Sequence, residues 1–181
     1  WTSVAIDVHR AADIGCMRLS LVETMTSLQT SGSRIRIIAD LVALQGENRE
    51  RGISRYTSAF LGALQDTKDV ELICRVHRTL PPPQVGNQLE PTVFSDTEIL
   101  NRFLREPKVP SVFLIPSTFE WSIDANQLVP DWVRMTSLPI VGIAYDVIPL
   151  LFPNVYLRDK EQHSRYRARL QFMRTFDRLV A

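Results

Sequence analysis

The stretch RIRIIADLVAL, residues 34–44, decides the fold class. It is rich in branched apolar residues, as is typical of a strand buried on both faces of a parallel sheet. A polar loop follows at residues 45–52, and apolar residues then recur at helical spacing over 53–66. This order predicts a strand, a loop and a helix, which is how many α/β domains begin.

The rest of the chain repeats that alternation. Further strands are predicted at 70–76, 111–116, 138–146 and from Asp177 onward, further helices at 97–105 and 157–176, and a long loop at 78–95. Strands that alternate with helices imply right-handed βαβ units and a Rossmann-like, doubly wound, mainly parallel sheet. Ligands of such sheets bind beyond the carboxyl ends of the strands, which directs attention to residues 45–56, 116–122 and 145–154.

Residues 1–33 stand apart from the domain predicted at 34–181. They hold two stretches with helical spacing, separated by Gly15, and then a polar linker at 29–33. Isolated helices this short are marginal in water, so we expect a helical arm that docks on something else.

The composition is that of an ordinary globular domain. Apolar residues make up 45% and charged residues 23%, and the net charge of +1 gives no global attraction to nucleic acid. Cys16 and Cys74 lack the spacing of metal ligands, although a single disulfide remains open. This cysteine usage favours a reducing, cytoplasmic setting, and no apolar run approaches the ~20 residues of a membrane helix.

The loop and helix start at 45–57 form the first candidate site. The start of a helix binds anions well, and Arg55 adds positive charge beside Gly52 and Tyr56. Ser54 is a candidate cap for this helix. The pattern suits the diphosphate of a sugar nucleotide, and equally an ordinary βα loop with solvated charges.

Two further candidates follow predicted strands. The carboxylate of Asp146, after Tyr145, could accept hydrogen bonds from sugar hydroxyls, or could cap a turn before Pro149. Glu120 beside Trp121 suits a carbohydrate surface, or a turn at the edge of the core.

The last predicted helix is basic. Residues 158–178 hold three acidic side chains and seven basic ones: Arg158, Lys160, Arg165, Arg167, Arg169, Arg174 and Arg178. Tyr166, Leu170 and Met173 are predicted to form its inward stripe. Such a face fits anionic lipid headgroups or phosphates, or is simply solvated. The three histidines, His9, His77 and His163, are scattered and receive no role.

Several of these segments together resemble the retaining GT-B glycosyltransferases of the family-4 type. DLVALQ at 40–45 and RGISRYT at 51–57 are similar to that family's first strand, glycine loop and first helix. YDVIPLLFP at 145–153 resembles its H-D-L-I-P-L-x-x-P segment, and PSTFE at 116–120 fits a common intermediate one. The likeness covers about residues 35–181, in the right order.

The resemblance implies the acceptor-side half of a two-domain enzyme. Such enzymes transfer a hexose such as mannose from a nucleotide sugar, the co-substrate, to a glycan or lipid-linked acceptor with retention, generally without a metal or other cofactor. Surface polysaccharide assembly at the cytoplasmic face of the inner membrane is the expected setting, with peripheral contact through 158–178. Tyr145 and Asp146 are the implied catalytic residues, and Gly52, Arg55 and Tyr56 the implied glycine-loop residues.

Two departures shape this expectation. Tyr145 stands where the family has histidine, and tyrosine donates a hydrogen bond but supplies no cation at neutral pH. The chain also stops before a donor half, so it is expected to be inactive alone. WTSVAIDVHRAA at 1–12 resembles the tail of a GT-B enzyme, which predicts a chain that straddles two tandem modules, with the arm at 1–33 belonging to the first. The alternative is a degenerate, non-catalytic module that binds glycan or protein.

Overall fold

The computed structural model describes residues 34–46, 52–85, 89, 91–144 and 148–180. The arm predicted at 1–33 lies outside the described residues, and so do Tyr145 and Asp146.

Six strands of the described chain form one parallel sheet in the order β3-β2-β1-β4-β5-β6. They are β1 (Ile35–Asp40), β2 (Val70–Arg75), β3 (Val93–Phe94), β4 (Ser111–Ile115), β5 (Ile140–Ile143) and β6 (Arg178–Val180). Every pairing is parallel. The prediction of a Rossmann-like doubly wound fold is therefore confirmed.

Helices cover both faces of the sheet. They are α1 (Val42–Gln45), α2 (Gly52–Gln65), α3 (Asp96–Arg105), α4 (Asp131–Met135), α5 (Ile148–Leu151), α6 (Pro153–Tyr156) and α7 (Lys160–Met173). On one face, Phe60, Leu61 and Leu64 of α2 join the core cluster of Ile37 and Ala39. Residues of α3, α4 and the end of α7 pack on the other face, in the cluster that contains Ile38.

The central position of β1 explains why its sequence is rich in branched apolar residues. All six residues of β1 are buried, with neighbours β2 and β4 on its two sides. Branched side chains suit such a strand because both of its faces pack against helices.

Several predicted boundaries were wrong. The first strand ends at Asp40, because the Asp40 carboxylate accepts a hydrogen bond from the Val42 backbone N–H (2.8 Å) and the chain turns into α1. The predicted loop at 78–95 contains the short strand β3. The predicted strand at 138–146 is shorter, as β5, and the predicted helix at 157–176 is shorter, as α7. A 3-10 turn at Ala125–Gln127 and helix α4 were not predicted.

The strand order creates a switch point beside β1. The chain runs outward from β1 to β3 and then returns to β4 on the other side of β1. At such a point the loops that follow the two central strands diverge, which opens a crevice at the carboxyl edge of the sheet. None of the helices described here is long and apolar enough to cross a membrane.

Candidate functional site

The loops after β1 and β4 meet at Gly46. A Cβ atom at Gly46 would lie 2.9 Å from Oγ of Ser122 and 3.3 Å from Oε2 of Glu120. These distances leave no room for a larger residue unless its neighbours move. The switch point is therefore a close junction between the two loops, and it contains the predicted residue Glu120.

Glu120 is held firmly at this junction. Its side chain is 7% exposed, and Oε1 accepts a hydrogen bond from the Ser117 hydroxyl (2.9 Å). Trp121, the next residue, is 41% exposed. A buried carboxylate thus stands beside an accessible aromatic ring, as the sequence pattern suggested.

Arg169 of α7 clamps the same loop. Its Nη2 donates hydrogen bonds to the backbone carbonyls of Glu120 (2.7 Å) and Ile123. The guanidinium is 3% exposed, and its Nη1 has no hydrogen-bond partner among the described residues. Burial lowers the pKa of Arg169, against the attraction of nearby carboxylates.

The prediction that Arg169 belongs to a basic outer face at 158–178 was therefore wrong. It points inward beside Tyr166 and Met173, which are buried as predicted, whereas Leu170 is half-buried. A buried guanidinium fits here because carbonyl groups of the loop, rather than solvent, receive its hydrogen bonds.

The start of α2 contacts α1, the short helix that follows β1. Gly52 is exposed at the first helical position, and no atom would contact a Cβ added there. Ser54 lies inside the helix, so its predicted capping role is wrong, because its hydroxyl donates instead to the Ala43 carbonyl (2.7 Å). This bond ties α2 to α1.

The next two residues of α2 differ in exposure. Arg55 is exposed, and no described carboxylate lies within ion-pair distance of it. Tyr56 is half-buried and stacks on Phe60, with ring centroids 6.0 Å apart. Burial raises the pKa of the Tyr56 hydroxyl, so it stays protonated at neutral pH. Among the described residues, Arg55 is thus a cation at this helix start that a ligand could reach.

A second polar cluster, which the sequence analysis did not find, lies at the ends of β1 and β2. Asp40 is fully buried, and its Oδ2 lies 2.5 Å from Nη1 of Arg75 and 2.9 Å from Nε2 of His77. Burial alone would raise the pKa of Asp40, but the hydrogen bond with His77 and the Arg75 charge outweigh it and hold that pKa below its ordinary value. The Asp40 carboxylate is therefore ionised, inside the protein.

Arg75 links Asp40 to a second acid, Asp96. Its Nε and Nη2 donate to the two carboxylate oxygens of Asp96, at 2.7 and 3.1 Å, in a bidentate pair. The indole N–H of Trp132 donates to the same carboxylate (3.1 Å). Burial opposes ionisation of Asp96, but these bonds lower its pKa. We call Asp40, Arg75, His77 and Asp96 the carboxyl-edge cluster.

Gln45 fixes the backbone around this cluster. Its side-chain amide donates to the carbonyls of His77 (3.0 Å) and Pro81 (2.9 Å) and accepts from the His77 backbone N–H (2.8 Å). His77, which received no role from the sequence, is therefore held on both its backbone and its ring. Polar residues at the ends of two adjacent strands were the signal that could have revealed this group.

The carboxyl-edge cluster borders a cleft of about 710 Å³. The cleft is lined by Arg75, Val76, His77, Arg78, Thr79, Asp96, Thr97, Asn126, Gln127, Val129, Pro130, Asp131, Trp132 and Arg134. It is a concave space with a mixed polar and apolar lining, at the carboxyl ends of β2 and β3, beside the switch point rather than in it.

No group of three or more His, Cys, Asp or Glu side chains within the described ranges is arranged to hold a metal ion. Cys74 is buried in β2, where burial raises its pKa to about 12, so it is an unreactive thiol. No protein-family model matches the chain, and neither does a curated protein or a solved structure.

Proposed function

We propose that this chain is the acceptor-side half of a retaining glycosyltransferase that transfers a hexose, such as mannose, from a nucleotide sugar. The observation that supports it best is the junction at the switch point, where Gly46 packs against Glu120 beside the exposed Trp121. Ligands of this fold bind at that position. The residues that meet there are chemically suited to a sugar.

We assign recognition of the sugar and recognition of the diphosphate to different residues. The Glu120 carboxylate can accept hydrogen bonds from sugar hydroxyls, and the Trp121 ring offers an apolar surface to a sugar face. Arg55 and the backbone N–H groups at the start of α2 suit a diphosphate. Tyr145 and Asp146, which follow β5 in the sequence, are the proposed catalytic residues.

The proposal extends to a cytoplasmic enzyme that touches the inner membrane. Six large apolar side chains are exposed just before the basic helix α7: Ile148, Leu150, Leu151, Phe152, Val155 and Tyr156. Arg158, Lys160 and Arg167 are exposed next to this segment. Apolar side chains beside basic ones fit an interface with anionic lipid, where a lipid-linked acceptor would be found.

The experiment is acceptor-dependent nucleotide release. The product of the whole reading frame that contains this chain is incubated with UDP-, GDP- and ADP-sugars, with and without short oligosaccharides. We expect one donor to lose its nucleotide faster when an acceptor is present, and the anomeric configuration of the donor to be retained in the product.

Matched variants locate the site. Glu120→Gln should slow release at least tenfold, since it removes the charge that accepts sugar hydroxyls, whereas Glu161→Gln on the exposed face of α7 should not. Arg55→Gln should raise the KM for the donor, whereas Arg105→Gln should not. A folded product that releases no nucleotide across the panel would overturn the proposal.

A non-catalytic glycan-binding module is the second candidate. Tyr145 favours the non-catalytic module, because this tyrosine stands where the family-4 type glycosyltransferases have histidine. Glycan binding without nucleotide release by the same folded protein would establish this alternative.

A further inference from the structure

We propose that the cleft of about 710 Å³ beside the carboxyl-edge cluster binds an uncharged saccharide. This site goes beyond the proposed function, because it lies at the ends of β2 and β3 and not at the switch point. It is formed entirely by described residues, so it can be tested on this chain as it stands.

Charge balance selects an uncharged ligand. Three arginines and three aspartates lie in the lining or directly behind it: Arg75, Arg78, Arg134, Asp40, Asp96 and Asp131. Arg75 is neutralised by its bonds to Asp40 and Asp96, and Arg134 lies 3.4 Å from Asp131. A nucleoside diphosphate would gain little from Arg78 alone and would be repelled by two exposed or half-exposed carboxylates.

The hydrogen-bonding groups of the lining select a ligand with many hydroxyls. Thr79, Thr97 and Asn126 are exposed, and each can both donate and accept hydrogen bonds. The side-chain oxygen of Gln127 accepts from the Asp124 backbone N–H (3.1 Å), which leaves its amide N–H groups to face a ligand. Sugar hydroxyls also donate and accept, so they match such a surface better than an apolar ligand does.

The floor of the cleft is rigid before any ligand binds. Arg75 is fixed by its bidentate bond to Asp96 and by Asp40, and Trp132 is fixed by its indole N–H bond to Asp96. The Asp96 side chain is still 41% exposed, so its oxygens remain available to hydroxyl donors. A rigid floor favours binding because little conformational entropy is lost.

The size of the cleft suits more than one sugar ring. Its volume falls within the ~300–1,000 Å³ of small-molecule sites. Val76 and Pro130, which are half-buried, add an apolar surface that can pack against the C–H faces of the rings. A short neutral oligosaccharide therefore fits both the volume and the chemistry.

The test uses two tryptophan indoles as separate reporters. Trp132 lines the cleft and Trp121 lies at the switch point, so their indole ¹⁵N–H signals report on the two places independently. The ¹⁵N-labelled 181-residue chain is titrated with maltotriose, mannotriose and chitotriose, and separately with UDP and pyrophosphate. We expect at least one trisaccharide to shift the Trp132 signal, and neither anion to do so.

Asn126→Ala is the variant and Asn154→Ala its control. Loss of one or two hydrogen bonds from Asn126 should raise the Kd read at Trp132 about tenfold, whereas the exposed Asn154 outside the cleft should leave it unchanged. The proposal is overturned by no shift at Trp132, by a shift with UDP or pyrophosphate, or by equal effects of the two variants. Nucleotide release by the whole reading frame decides the proposed function separately, because it does not depend on Trp132.

Discussion

Two clusters of buried charged residues lie on the same face of β1 and β2. One is near the amino ends of these strands, at the amino edge, and the other is at their carboxyl ends, at the carboxyl edge. The amino-edge cluster consists of Arg36, Glu71, Arg102 and Glu106, and the carboxyl-edge cluster of Asp40, Arg75, His77 and Asp96. Each joins both strands to α3 or its flanking residues. Both contain buried charged side chains, but only the carboxyl-edge cluster lies where ligands of this fold bind.

Their surroundings differ as well. Arg36 is 1% exposed and donates through Nε to Glu71 (2.9 Å), and the adjoining pocket, lined by Glu71 and Arg102, measures about 200 Å³. The carboxyl-edge cluster instead borders a cleft of about 710 Å³ and includes a histidine. The two clusters therefore differ in their position on the sheet and in the size of the adjoining space, and this difference is why we propose a site only at the carboxyl edge.

The largest expected effect comes from breaking either cluster. Glu71→Gln and Asp40→Asn each remove a buried carboxylate charge that accepts a hydrogen bond from a buried arginine, so each should lower the free energy of unfolding by about 3–5 kcal/mol. Urea denaturation measures this loss. Only Asp40→Asn should also change the Trp132 response to trisaccharides. If Glu71→Gln and Asp40→Asn changed the Trp132 response equally, the two clusters would not differ in function.

Acid should weaken the carboxyl-edge cluster in a specific pH range. The pKa of Asp40 is lower in the folded protein than its ordinary value of 3.8. The unfolded chain therefore binds the proton more tightly, so stability from Asp40 is present above about pH 3.8 and is lost as pH falls through the lower, folded pKa. Unfolding free energies from pH 7 to 3 should fall less steeply in Asp40→Asn, and an equal slope would contradict this account.

A smaller effect is expected at the switch point. Ser54→Ala removes the buried hydrogen bond to the Ala43 carbonyl and should cost about 1 kcal/mol. The exposed Ser164 of α7 is the control, and Ser164→Ala should stay within about 0.5 kcal/mol of the parent. Thermal denaturation of both variants measures the difference. Equal stability would mean that the bond between α1 and α2 contributes nothing.

The smallest effect is expected for an exposed ion pair. Arg165 and Glu161 of α7 lie 2.7 Å apart, but their side chains are 59% and 72% exposed. Water screens this pair, so Glu161→Gln should change the free energy of unfolding by less than about 0.5 kcal/mol. A loss as large as that of Glu71→Gln would mean that exposure does not distinguish these ion pairs.

The fold could be predicted because its signals are local. The branched run at 34–44 and the apolar periodicity of α2 each depend on neighbouring residues. The end of β1 could not be placed, because Leu41 and Val42 suit a buried helical turn as well as a strand. The bond from Val42 to Asp40 and the backbone bond from Leu44 to Leu41 favour the turn.

The candidate site was less accessible to sequence reasoning. Glu120 and Trp121 could be selected because they follow a strand, but the carboxyl-edge cluster depends on the register that places Asp40 opposite Arg75, 35 positions away. Arg169 was assigned to a basic surface, because its inward contacts with residues 46 and 49 positions earlier leave no local trace.

The most direct test of the central claim is nucleotide release by the whole reading frame in the presence of an oligosaccharide acceptor. The account predicts release that depends on the acceptor, falls at least tenfold in Glu120→Gln at the carboxyl edge, and is unchanged per folded molecule in Glu71→Gln at the amino edge. The account is contradicted if the folded protein releases no nucleotide from any donor, or if both variants reduce release equally.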